Sequence, residues 1–248
     1  MLRREAALYH EAIGRDLRII AYGHFGLPVL VFPTMNCVAN DWEFHGMLEV
    51  LAPWIDAGRI KLYAIESIDS EARMNWEAHP AWRAKRALAH EAFVLETVVP
   101  AIRRDCNSDA ITIKTTGCSV GGLHAANYAL KYPTIFNSAL CMSGRYDLGS
   151  WFDGFYNEDV YHSDPIAYVA NMSGEHLETV RRNVHMTLVV GQGAHEGGCV
   201  PQTHRLADLL DQKGIPNWRD IWGYDAAHHW DWWKKQITYH LAHEFGAL

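Results

Sequence analysis

No stretch of this chain approaches the ~20 consecutive apolar residues that a membrane-spanning helix requires, and its best apolar runs are only strand-length. No membrane partner is expected. The start, Met1-Leu2-Arg3-Arg4-Glu5-Ala6-Ala7-Leu8, has two early arginines without the apolar run of about 7–15 residues that a secretory signal places after them. A cytoplasmic location is the expectation. Cysteine is sparse and odd in number: five, at positions 37, 106, 118, 141 and 199, with no Cys-x-x-Cys pair. Free thiols are expected rather than a disulfide framework or a zinc knuckle. Positive charge is also short, with 22 Lys+Arg against 29 Asp+Glu and a net charge of -7. With no basic arm, a nucleic-acid partner is not expected. Internal repeats, low-complexity tracts and Pro/Gly/Ser-rich linkers are missing, which excludes solenoid, collagen-like and disordered architectures. One domain spanning 1–248 is the simplest organisation.

Histidine is abundant, at 15 residues, yet the His-Glu-x-x-His zinc pattern does not occur. His240 and His243 share a helical face, but no third ligand is near them in sequence. Neither a metal nor another cofactor is expected.

What the chain does contain is alternation of short β-rich runs with longer helical patterns. Strands are predicted at 17–22 (LRIIAY), 29–32 (VLVF), 61–65 (KLYAI), 110–115 (AITIKT), 138–142 (SALCM) and 186–190 (MTLVV), with a weaker one at 217–222 (NWRDIW). Several are continuously apolar, as a strand covered on both faces must be, which points to a mostly parallel sheet between helices. Helices are predicted over 83–104, with a kink or early end at Pro100, and over 120–131, 201–214 and 231–245. The first strands lack intervening helices, so an antiparallel start is expected.

Gly117-Cys118-Ser119-Val120-Gly121 is a Gly-x-Ser-x-Gly motif between a predicted strand and a predicted helix. That context favours a sharp turn projecting the Ser119 hydroxyl from the top of the sheet as a nucleophile. Its flanking positions must be small because backbone passes close by. The N–H of Val120 is the expected first oxyanion donor. A serine needs a base oriented by an acid, and in this architecture they follow in the order Ser, acid, His. Glu196 lies after the 186–190 strand. His228 and His229 lie after the 217–222 strand, with Asp225 as a second candidate acid.

From about residue 25 to 245 the chain resembles the esterase D-like branch of the α/β-hydrolases. That branch holds S-formylglutathione hydrolases, feruloyl esterases, enterochelin esterases and mycolyltransferases. The branch's His-x-Trp-x-x-Trp pattern is matched by His228-His229-Trp230-Asp231-Trp232-Trp233, which selects His228 as the base. Gly191-Gln192-Gly193-Ala194-His195-Glu196 is similar to the region carrying the mycolyltransferase acid, which supports Glu196. The resemblance implies an α/β-hydrolase fold with about eight strands, mostly parallel and flanked by helices. It also implies that the second oxyanion donor is the N–H of Met35, in the loop after the 29–32 strand.

Asn36 in that loop, Trp42, Trp76 and Trp230 are candidate substrate-binding residues. The long connection 144–178 reads either as a partial lid or as surface packing or a subunit contact. The expected activity is hydrolysis of a small-molecule carboxylic ester through an acyl-enzyme. Acyl transfer to an alcohol or sugar acceptor, and a non-catalytic binding protein on the same fold, remain alternatives, as does a homo-oligomer.

Overall fold

The computed structural model describes residues 1–246. Eight strands form one sheet in the order β1-β2-β4-β3-β5-β6-β7-β8. They are β1 (Arg3–His10), β2 (Arg15–Tyr22), β3 (Leu27–Phe32), β4 (Ile60–Ile65), β5 (Ile113–Cys118), β6 (Phe136–Met142), β7 (His185–Val190) and β8 (Asn217–Ile221). β1 pairs antiparallel with β2, and β2 with β4, while every later pairing is parallel. The antiparallel start agrees with the sequence, but β1 was not expected. Its side chains are nearly all exposed, so no apolar period marks it, and its order comes from an eight-residue ladder with β2.

Two helices after β3 also escaped the pattern: α1 (Asp41–Phe44) and α2 (Met47–Asp56). Pro53 interrupts the second, yet Met47, Leu48, Leu51, Trp54 and Ile55 all turn inward. The 83–104 helix is three pieces. α3 (Pro80–Phe93) runs through a π-helical turn at Val94–Val98 into α4 (Val99–Asp105). Pro100 lies in the first turn of α4, where its missing N–H costs little, and the wider π turn absorbs the mismatch a proline imposes. The fifth strand runs over 113–118 rather than 110–115. Its register against β3 and β6 carries it to the residue before Ser119.

α5 (Val120–Lys131) follows β5, and α6 (Glu158–Tyr161), α7 (Pro165–Asn171) and α8 (Gly174–Asn183) follow β6. α9 (Cys199–Gln212) and α10 (Trp230–Phe245) complete the helices. Successive β3 residues separate two cores: Leu30 and Phe32 face one with α3 and α5, Val29 and Val31 the other with α2 and α10. Within 144–178, Leu148, Phe152, Val160, Ile166 and Val169 are buried in the first of these cores. Buried Arg83 ties the segment down. Its guanidinium bonds Asp153 (2.8 Å), the Arg73 carbonyl (2.6 Å) and the Trp151 carbonyl, and lies between the Trp76 and Phe152 rings.

From β3 the chain goes to β4 on one side and later to β5 on the other. The crevice at the carboxyl ends of these strands is where open α/β sheets place their sites. A buried polar cluster fixes that end. Asp69, after β4, accepts from His124 of α5 (2.5 Å), Arg73 (2.9 Å) and the Ser67 hydroxyl (2.9 Å). Burial raises the Asp69 carboxyl, but the charges of His124 and Arg73 outweigh it and hold it well below the usual range. Beside it, His90 donates from Nε2 to the Glu66 carbonyl (3.0 Å). Burial, then the charge of His124, pushes His90 down to about 4.

A buried histidine with a depressed pKa destabilises on acidification. The unfolded chain takes up a proton near pH 6.5, whereas the folded chain takes it only near 4. Stability carried by His90 is therefore complete above about pH 6.5 and lost as pH falls toward 4, by about 3 kcal/mol. Urea unfolding at several pH values should show this loss, and His90→Gln, which keeps a donor for the Glu66 carbonyl, should flatten the profile in that window.

Candidate active site

Ser119 sits between β5 and α5 with φ 57 and ψ -119, a left-handed conformation uncommon for a residue with a side chain. Two glycines make the turn. A Cβ on Gly117 would lie 2.3 Å from the Gly121 backbone, and one on Gly121 would lie 2.4 Å from the Phe32 carbonyl oxygen. The Ser119 N–H donates to the Met142 carbonyl (2.8 Å), anchoring the turn to β6. Ser119 is half-buried between the buried neighbours Cys118 and Val120. Burial, followed by the charges of Asp41 and Glu196, pushes the Cys118 thiol far above its ordinary value, so Cys118 stays protonated.

His228 points Nε2 at the Ser119 hydroxyl (3.0 Å) and Nδ1 at Glu196 Oε2 (3.2 Å). Its loop is seated directly on the loop that carries the acid. A Cβ on Gly191 would overlap the Ala226 carbonyl at 1.9 Å, Gly193 donates to that carbonyl (2.8 Å), and His228 donates to the Ala194 carbonyl (2.9 Å). Asp225, the other acid considered, is solvent-exposed and folds back over Gly223.

Sequence reasoning missed what holds Glu196. The carboxylate is buried, and its Oε1 accepts from the Ser143 hydroxyl (2.5 Å), which in turn accepts from the Trp233 indole N–H (3.0 Å). Ser143 follows β6 with φ 51, and its own N–H donates to the Val189 carbonyl (2.7 Å). A lone serine past a strand carries no local signature. The Trp233 end did have one, the second tryptophan of the His-x-Trp-x-x-Trp pattern. Trp233 also meets the His228 ring edge-to-face at 4.9 Å.

The loop after β3 is tied down by Asp41, which accepts from the Thr34 N–H (2.8 Å) and the Asn36 side-chain amide (3.2 Å). The turn closes through Cys37 N–H to the Thr34 carbonyl (3.1 Å). Gly121 against Phe32 and Pro33 brings this loop beside the start of α5. Among the described residues, neither the Met35 nor the Val120 N–H has an acceptor. Asn36 thus spends its amide on Asp41.

The tryptophans divide. Trp42 is 1% exposed and packs in the second core, which removes it from the substrate-facing candidates. The four-residue α1 turns Asp41 and Trp42 inward and leaves Phe44 80% exposed. Trp76 is exposed and lies over Arg83, toward Trp151. Trp230 stacks on His45 at 4.2 Å and meets Trp233 at 5.1 Å, joining the α1 turn to the histidine loop. Cys199, at the start of α9, places Sγ 3.8 Å from His228 Nδ1. Burial, then the charge of Glu196, pushes its thiol up to about 12.

No helix among the described residues is long and apolar enough to cross a membrane. No curated protein matches the chain in sequence. Solved structures do match in shape. An S-formylglutathione hydrolase from Agrobacterium tumefaciens is 11% identical with a TM-score of 0.73, covering 96% of this chain and 92% of that one. MPT51 (FbpC1) of Mycobacterium tuberculosis is 13% identical with a TM-score of 0.74, covering 99% and 98%. A ferulic acid esterase is 13% identical with a TM-score of 0.71, covering 96% and 95%. At such identities the likeness is one of fold: the eight-stranded, mostly parallel sheet flanked by helices is the α/β-hydrolase fold. Residues 55–243, most of the chain, match the family model described as "Putative esterase", and the chain belongs to that family.

Proposed function

We propose that the protein is a serine esterase that hydrolyses a small carboxylic ester through an acyl-enzyme. One observation carries the reading: the continuous hydrogen-bond line from Ser119 through His228 to buried Glu196, starting at a left-handed turn. His228 Nε2 takes the Ser119 proton as the hydroxyl oxygen attacks the ester carbonyl. Glu196 holds the proton on Nδ1 and stabilises the imidazolium. The oxyanion is met by the N–H groups of Val120 and Met35, both without other acceptors among the described residues. His228 then protonates the leaving alcohol, and water enters by the same route in reverse to release the acid. The small ester substrate is the class that family membership implies.

Ser143 acts in this reading as a positioning residue. With one oxygen of Glu196 held by the Ser143 hydroxyl, the other is left for His228.

Fluorophosphonate labelling with intact-mass detection should give one adduct, on Ser119, that Ser119→Ala abolishes. On an ester that the wild type turns over, Ser119→Ala and His228→Ala should each lower kcat by about 10⁶, and the double variant by little more, because the groups act as a unit. Additive losses would contradict the assignment. Glu196→Gln should lower kcat by about 10⁴ while Asp225→Asn leaves it unchanged; the reverse pattern would move the acid to Asp225. Ser143→Ala strands the Trp233 N–H and one Glu196 oxygen. It should cost about 1–3 kcal/mol in urea unfolding and lower kcat with KM unchanged.

A further inference from the structure

The face of His228 turned away from Ser119 carries, beside Glu196, a thiol that the ester reaction does not use. Cys199 is 2% exposed, with Sγ 3.8 Å from His228 Nδ1, and Glu196 Oε2 lies 3.2 Å from the same nitrogen. One donor atom each from Glu196, Cys199 and His228 all fall within 4.8 Å of one another. A tetrahedral zinc ion with bonds of ~2.0–2.3 Å sets its nitrogen, oxygen and sulfur ligands about 3.3–3.6 Å apart. The two direct separations, 3.2 and 3.8 Å, bracket that spacing.

We propose that Glu196, Cys199 and His228 form an inhibitory site for a soft divalent cation, Zn²⁺ or Cd²⁺. Thiolate and imidazole suit such ions. One thiolate and one carboxylate would cancel the double charge of the ion, so the buried site stays neutral. The Ser143 hydroxyl on Glu196 Oε1 supplies the outer bond that orients a ligating carboxylate.

The chemistry of inhibition follows from the imidazole. The working base carries its proton on Nδ1 and a free lone pair on Nε2. A cation on Nδ1 displaces that proton, and the neutral ring then carries its hydrogen on Nε2, facing Ser119. A ring protonated there donates to the serine and cannot accept its proton. The Cys199 thiol loses its proton to solvent, and the ring proton changes nitrogen, so one proton is released per cation bound. Without metal the thiol is neutral, since burial holds it up to about 12, and the hydrogen-bond line to Ser119 is undisturbed.

The loss of activity rests on the esterase reading, whereas the binding does not, so two readouts separate them. Cd²⁺ titrated into the whole chain should raise the ultraviolet thiolate-to-cadmium band with one equivalent. Cys199→Ser and Cys199→Ala should weaken that binding by about 100-fold or more, as should His228→Ala, which leaves the buried thiol in place. Fluorophosphonate labelling of Ser119 should slow at least about 100-fold in saturating Cd²⁺ and recover with EDTA. Each rate is compared with that of the same variant free of metal. A band of wild-type affinity in both Cys199 variants would put the metal on another cysteine and overturn the site. Labelling at an unchanged rate in cadmium-loaded protein would overturn the inhibition. If the metal-free wild type does not label at all, the esterase reading fails while the cadmium band still decides the site.

Discussion

Carbonyl oxygens stand where side chains would otherwise be. The Phe32 carbonyl fills the Cβ position of Gly121, and the Ala226 carbonyl fills that of Gly191. The first contact sets the loop after β3 against the turn after β5, and the second sets the loop after β7 against the loop after β8. Any Cβ there pushes backbone against backbone, which cannot swing aside as a flexible side chain can. The second contact seats the His228 loop on the Glu196 loop, while the Ser119 turn is anchored through its N–H to the Met142 carbonyl of β6. The hydrogen bonds then select orientation within a frame the glycines define.

Within that frame the electrostatics are asymmetric. The acid is fully enclosed and its oxygens are divided between Ser143 and His228. The serine side is only half-buried and, among the described residues, leaves the Met35 and Val120 N–H groups without acceptors. Burying a carboxylate is expensive unless each oxygen is satisfied, so the Trp233–Ser143 pair is part of the same arrangement as the acid itself. The thiols of Cys37, Cys118 and Cys199 are all raised by burial and stay neutral.

Some of this was readable from the chain. Gly-x-Ser-x-Gly is a local pattern whose spacing is dictated by sterics over five residues, and the order of Ser119, Glu196 and His228 follows from strand order. The parallel, two-sided strands announced themselves as apolar runs. What stayed hidden depends on partners far away in sequence. β1 is exposed and exists only because β2 pairs with it. β5 begins three residues later than its apolar content suggested, because its Thr-Thr-Gly-Cys end is buried by neighbouring strands rather than by its own hydrophobicity. Trp42 read as an aromatic on the substrate side, but the short turn of α1 sends it into the core. Ser143 has no pattern around it, and only the packing of β6, β7 and α10 reveals its hydroxyl.

The buried Arg83 has a further consequence for the mobility of residues 151–153. Swinging residues 151–153 outward would strip the guanidinium of Asp153 and the Trp151 carbonyl while leaving it covered by Trp76. Arg83 is fully buried while Asp153 is largely exposed, so the cost falls on the guanidinium, which would keep its charge and lose two of its three acceptors. Releasing residues 151–153 thus leaves a buried charge underpaired, a cost that a loop held by apolar contacts alone would not carry.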